Sequence, residues 1–193
     1  AEFSKNPVIG ACENAEKYGL QLVYEKSYPL STVNFEFYLD EVKATNADIF
    51  FICSYLNDSI GLVRAIHKSD YRPKMVGGAM IGPQSASVKK ELGPLLNGFV
   101  NYDYWAPVSQ MNFPGVADML SKYQARADEE NADRLGYYMV PLAYAQMQVI
   151  AQAIHATKSL DDAALSKYCK EHTFETVMGA IRFGEGGEWA HPR

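Results

Sequence analysis

The chain has 193 residues, room for one ordinary domain or for two small lobes that share connections. Apolar residues make up 48% and charged residues 21%, which supplies a core and excludes a disordered tail or a solvated linker. Lys plus Arg number 18 against 23 Asp plus Glu, a net charge of −5 with no clustered basic stripe, so the balance argues against nucleic acid as a partner. No apolar run approaches the roughly 20 residues that span a bilayer. Even Val140–Ile154 is interrupted by Gln146, Gln148 and Gln152. The opening AEFSKNPVIG has no charged-then-apolar leader, so any export signal is expected to be absent or already removed.

Helical and strand-like segments alternate from the start. Pro7 opens a stretch with Val8, Ala11, Cys12 and Ala15 on one helical face, and Gly19 closes it. Leu20–Tyr24 reads as a short strand ended by Tyr28-Pro29. Asn34 is placed to cap a helix whose Phe35, Tyr38, Leu39 and Val42 recur at i, i+3, i+4 and i+7. Asp48–Cys53 is a continuous apolar run, suited to a parallel strand covered on both faces. Asn57 is a possible cap for a helix carrying Ile60, Val63, Ile66 and His67, stopped at Tyr71-Arg72-Pro73. Met75–Gly78 is a strand, Ser85–Leu92 a short helix and Gly98–Tyr102 a strand.

The polar, weakly periodic stretch Ala106–Asn112 is the best boundary between two substructures, and beyond it the chain turns mainly helical. Pro114 suits the first position of a helix with Met119, Leu120 and Tyr123 on its apolar face. A longer helix follows, expected to bury Val140, Ala143, Tyr144, Met147, Ala151 and Ile154. Asp161 caps a last helix reaching Lys170, and Gly179–Phe183 is the final strand. Strands separated by helices of this length imply right-handed βαβ units and an open, mostly parallel α/β sheet with helices on both faces.

Most catalytic chemistry fails on spacing. Gly77-Gly78-Ala79-Met80-Ile81-Gly82 and Gly184-Glu185-Gly186-Gly187 match neither GxGxxG nor a P-loop, and no GxSxG elbow exists. His67, His155, His172 and His191 lack the i+3 or i+4 partners of a helical metal site. Cys12, Cys53 and Cys169 are too far apart for a zinc or redox motif and read as small buried residues, with one bridge among them as the alternative. No cofactor, metal or catalytic residue is expected. What remains is position: in an open parallel sheet, ligands bind beyond the carboxyl ends of the strands. Those positions are Ser54 and Tyr55, then Gly78, Ala79 and Met80, then Tyr102, Asp103, Tyr104 and Trp105. Such an aromatic set suits recognition by stacking and burial better than it suits chemistry.

The ordered segments FSKNPVIGACENAEKYG, YEKSYP, NFEFYLDEVKATNADIFFICSY and LVRAIHKSDYRPKMVGGAM resemble the second lobe of type I periplasmic solute-binding proteins, receptors of ABC importers of the branched-chain amino-acid type. YYMVPLAYAQMQVIAQAI followed by TVMGAIRFGEGGEW resembles that family's return segment, through Gly179, Ile181, Phe183 and Gly187. The resemblance implies two α/β lobes that close on a small ligand. It also implies a periplasmic location, a membrane permease as partner and no enzymatic activity. Residues 1–107 would be an incomplete second, C-terminal lobe, and 108–193 a returning first-lobe and hinge segment, in a chain truncated at its N-terminus. The rest of the first lobe would come from a missing fragment or a swapped partner chain; failing either, the returning helices should show an exposed apolar face. A sensor domain of a regulator, or an α/β enzyme whose catalytic part is missing, are the competing readings.

Carried over by position, Phe3, Tyr55 and Tyr138 or Met139 fall where the family's aromatic residues touch ligand, and Ala79, with Met80 beside it, falls on the loop after the strand. There the amino-acid receptors tend to place an acid for the ligand ammonium. No Asp or Glu occurs between Asp70 and Glu91, which leaves Asp58 and Asp103 as substitutes. The expected ligand is therefore a small carboxylate, aromatic or aliphatic, without an α-amino group.

Overall fold

The computed structural model describes residues 2–30 and 32–190, so His191 lies outside the described residues. The chain divides into two compact units, Ala1–Tyr102 and Asp103–Arg193.

The first unit is a three-stranded parallel sheet in the order β1 (Ile49–Ser54), β2 (Met75–Met80) and β3 (Phe99–Asn101), with helices α1 (Glu2–Lys17), α2 (Glu36–Ala44), α3 (Leu56–Lys68) and α4 (Ala86–Leu92). α1 begins five residues before the expected Pro7, which sits inside it. Beyond the first turn as it is, Pro7 has no N–H to offer the Phe3 carbonyl one turn back. Gly19, at φ +70°, follows the helix end as expected. Phe35, not Asn34, takes the capping position of α2; Asn34 lies one residue earlier and its Oδ1 accepts the Glu36 N–H at 2.9 Å. Asn57 does not cap α3: the helix leaves β1 directly, with Tyr55 extended at the capping position and Asn57 already in the first turn.

Two strand expectations need correction. Leu20–Tyr24 joins no ladder; its apolar side chains Leu20, Leu22 and Val23 stay exposed, and the segment is tied instead through Tyr24 and Lys26, which both donate to Glu41 on α2 at 2.7 Å. β1 is consequently an edge strand, and it is not covered on both faces: Ile52 and Ser54 are buried while Ile49 and Phe51 are 45% and 39% exposed. The core of the unit gathers Phe35 just before α2 and Leu39 within it, Ile52 of β1, the α3 residues Leu62, Val63 and Ile66, Val76 and Met80 of β2, and the α4 residues Val88 and Leu92. β2 also runs two residues past Gly78, to Met80. Paired glycines let it lie close to its neighbours, because a Cβ on Gly77 would fall 1.8 Å from the Val100 carbonyl oxygen of β3.

The second unit holds helices α5 (Val116–Ala127), α6 (Val140–Thr157) and α7 (Asp162–Glu171) and an antiparallel pair, β4 (Thr173–Thr176) and β5 (Gly179–Arg182). The sequence reading missed β4, whose four residues alternate exposed Thr173 and Glu175 with buried Phe174 and Thr176. Pro114 lies outside α5, since left-handed Gly115 (φ +85°) intervenes before the first turn. The stretch Ala106–Asn112 carries only a short 3-10 turn, Ser109–Met111. Asp161 Oδ1 accepts the Ala164 N–H at 2.9 Å, the expected cap of α7. Asp161→Ala is expected to lower stability by about 1 kcal/mol in chemical denaturation, the usual worth of such a cap.

α6 buries a different face from the one expected. Pro141, Ala145, Val149 and Ala153 point inward, whereas Tyr144, Met147 and Ile150 are about half exposed or more. Of the exposed residues, Tyr144 and Met147 are ones the periodicity had assigned to the interior. No helix among the described residues is long and apolar enough to cross a membrane.

Candidate functional site

The carboxyl edge of the parallel sheet concentrates the polar groups that the first unit buries. Of the buried polar side chains described, Ser54, Asp58, Ser59 and Gln84 belong to this edge and Thr176 to the end of β4. Burial of a polar group is costly unless it is hydrogen-bonded, so each of these has to be accounted for.

β1 ends at Ser54, and the next residue, Tyr55, opens α3 with its ring 37% exposed. Phe3 of α1 meets that ring with centroids 5.8 Å apart and planes tilted by 57°. The structure therefore brings together two of the residues expected at the site, one from the start of the chain and one from the end of β1. Beneath them, Ser59 Oγ donates to the Tyr55 carbonyl (2.7 Å), accepts the Gly82 N–H (3.1 Å) and lies 2.8 Å from Ser54 Oγ. The Ile81 N–H reaches the Ser54 carbonyl at 2.9 Å. Asn101, at the end of β3, clasps the Met80 backbone from both sides, accepting its N–H at 2.9 Å and donating to its carbonyl at 2.8 Å. Gln84 Nε2 donates to the Tyr102 carbonyl at 2.9 Å, while its buried Oε1 has no donor among the described residues.

Ala79 and Met80 do not lie on the loop, as expected, but are the last two residues of β2, paired with Cys53 and Ser54. Ala79 is 6% exposed and Met80 is fully buried in the core of the unit. The ladder with β1 explains the difference: it runs on to the Ser54–Met80 pair, so the loop starts only at Ile81. Both candidate acids have local partners. Asp58, in the first turn of α3, has Oδ2 3.4 Å from the Tyr28 hydroxyl, which lies equally far from the Cys53 carbonyl. Burial first, and the Asp58 charge second, push the Tyr28 hydroxyl well above the ordinary tyrosine range. Asp103 Oδ1 accepts the Tyr104 N–H.

In the second unit, Tyr138 stacks on Tyr104 with centroids 5.2 Å apart and planes within 20°, and Met139, half exposed, occupies the residue before α6. Trp105 is buried, donates its indole N–H to the Met111 carbonyl at 2.8 Å and packs edge-on against Tyr137, so it serves the core of this unit. The three cysteines are free and half-buried, not fully buried as expected, and burial pushes the Cys53 thiol up to about 11. Among the described residues no group of His, Cys, Asp or Glu is arranged to hold a metal ion.

Sequence reasoning missed Tyr28, Ser59, Gln84 and Asn101. For Ser59 a signal existed, because it lies three and four residues before the buried Leu62 and Val63, a polar residue on the apolar face of α3.

Comparison with known proteins supplies the family. The chain is 25% identical over 185 residues to a Leu/Ile/Val-binding protein homolog 8 of Brucella abortus, covering 91% of this chain and 44% of that protein. It is 24% identical over 168 residues to homolog 7 of the same organism, covering 86% and 41%. The chain thus spans less than half the length of these curated relatives. Among solved structures, an amino acid ABC transporter substrate-binding protein from Pseudomonas fluorescens shares the fold with a TM-score of 0.75 at 18% identity, over 97% of this chain and 48% of that one. A leucine-binding protein from Thermotoga maritima gives 0.74 at 16% identity, over 92% and 49%. The family model described as periplasmic binding protein matches residues 1–192, and the chain belongs to that family.

Proposed function

We propose that the chain forms part of an extracytoplasmic solute receptor that delivers a small organic carboxylate to the permease of an ABC importer. Residues 1–107 are read as the second ligand-binding lobe and 108–193 as the segment returning to the first. The observation that carries this reading is the Phe3–Tyr55 ring pair at the carboxyl edge of the parallel sheet, where such sheets bind ligands. By the resemblance, Tyr138 or Met139 is read as a ligand contact of the return segment.

The ligand class follows from charge. By the resemblance, amino-acid receptors tend to place an acid just after this strand; this chain has no Asp or Glu between Asp70 and Glu91, and the two candidate substitutes, Asp58 and Asp103, are engaged with Tyr28 and with the Tyr104 N–H. An ammonium buried there would lose several kcal/mol for want of a partner. A keto acid or a benzoate-like acid loses nothing on that account, and its apolar part stacks on Tyr55 and Phe3.

Isothermal titration of the receptor tests both points. Micromolar binding of 4-methyl-2-oxopentanoate or benzoate is expected, with leucine and phenylalanine weaker by about 100-fold or more. Tyr55→Ala is expected to weaken the keto acid by roughly 10- to 100-fold, the usual range for losing a buried aromatic anchor. Micromolar binding of leucine or phenylalanine with no binding of the acids that lack the amino group would sink the proposal.

A further inference from the structure

We infer that Ser59 is the positioning residue of the ligand-facing loops: it holds Tyr55 at the end of β1 in register with the loop that leaves β2. This rests on the reading of Tyr55 as a ligand contact. A serine hydroxyl has one proton to donate and two lone pairs to fill. The Ser59 proton goes to the Tyr55 carbonyl at 2.7 Å. Its lone pairs then take the Gly82 N–H at 3.1 Å and the Ser54 hydroxyl at 2.8 Å, which makes Ser54 the donor of that pair. The full valence of one buried hydroxyl is spent on three backbone or side-chain groups from two different loops.

A helical serine that bonds the carbonyl one turn back is commonplace and would by itself mean little. The bond to Gly82 is different, because 23 residues separate the partners, one on α3 and the other in the segment that follows β2. Space agrees with the hydrogen bonds. A Cβ on Gly82 would fall 2.5 Å from Ser59 Cβ and 3.1 Å from the Leu56 carbonyl oxygen, so only glycine lets the β2 loop approach α3 this closely. Ser59 has no exposed surface, so it acts on a ligand only through the residues it holds.

Ser54 provides a matched control. It is as buried as Ser59 and shares a hydrogen bond with it, but its side chain has no bond to Tyr55 or Gly82. Amide hydrogen exchange and 15N relaxation on the 193-residue chain separate the two. In Ser59→Ala, exchange at the Gly82 amide should accelerate about 10-fold or more, and the Tyr55 amide order parameter should fall from about 0.85 toward 0.6. In Ser54→Ala both readouts should stay at parental values. If the alanine variant fails to fold, Ser59→Cys, which keeps the volume and only a weak donor, should move the same two readouts. Unchanged Gly82 exchange in a folded Ser59 variant, or equal changes in Ser54→Ala, would overturn the inference. Titration with 4-methyl-2-oxopentanoate separates it from the functional reading. If Tyr55→Ala leaves that affinity unchanged, Tyr55 is not a contact, and the amide readouts still decide what Ser59 holds.

Discussion

Gly77→Ala is expected to destabilise the first unit by at least about 4 kcal/mol, a large share of the 5–15 kcal/mol that keeps a domain folded. Two causes act together. The backbone at Gly77 has φ +130°, a conformation that a residue with a Cβ adopts only under strain. The added methyl would also lie 1.8 Å from the Val100 carbonyl oxygen, 2.8 Å from its carbon and 3.0 Å from its nitrogen. Those are backbone atoms of β3, directly across the ladder from Gly77, and no rotamer moves them away. Relief requires β3 to leave β2, which would also strip the Asn101 clasp from Met80 and the Gln84 bond from Tyr102. Gly78→Ala is the informative neighbour. It has the same φ, but its Cβ would meet the Phe51 ring at 2.7 Å, and a half-exposed ring can turn aside. It should therefore cost about half as much, near 2 kcal/mol. Urea denaturation followed by circular dichroism measures both, and a Gly77→Ala variant within about 1 kcal/mol of the parent would contradict this account of the β2–β3 contact.

How far the sequence revealed this edge depends on what kind of signal each residue leaves. Tyr55 was legible because position alone finds it: a residue that follows an apolar strand and precedes a helix must stand at the carboxyl edge. Phe3 was legible only through family resemblance, since the periodic helix pattern began at Pro7 and nothing local joins Phe3 to Tyr55. Gln84 and Asn101 left no signal, because their work is to satisfy backbone groups of Tyr102 and Met80 that are remote in sequence. Leu20–Tyr24 looked like a strand by composition, yet composition cannot supply a partner ladder, and side-chain bonds to Glu41 hold the segment instead. β4 escaped for the opposite reason. Thr-Phe-Glu-Thr is short and half polar, and its strand character comes from pairing with β5.

Phe174→Ala is expected to cost about 3–5 kcal/mol, and Met147→Ala less than about 0.5 kcal/mol, although each deletes a large apolar side chain from the same unit. Phe174 is 1% exposed, packs on Val149 and Ala153 of α6 and meets the rings of Tyr168 and Phe183 edge-on. Its removal leaves a cavity that neighbours on two helices and a strand cannot all collapse to fill. Met147 is 64% exposed, so truncation there removes little that folding had taken from water. The pair decides which side of α6 holds the unit together, the point on which the sequence misled. From Val140 to Ile154 this helix is apolar on more than one side, and a 3.6-residue period fits the stripe of Val140, Tyr144, Met147, Ala151 and Ile154 as well as that of Pro141, Ala145, Val149 and Ala153. Only the second stripe has Phe174 and Val177 to close against it: Gln148, beside Val149, accepts the Val177 N–H at 2.8 Å, and Gln152, beside Ala153, donates to the Glu175 carbonyl at 2.9 Å. Those two amides orient α6 toward the hairpin, and thermal denaturation of the two variants reads the orientation. Equal losses for Phe174→Ala and Met147→Ala would mean that the Met147 face is buried as well.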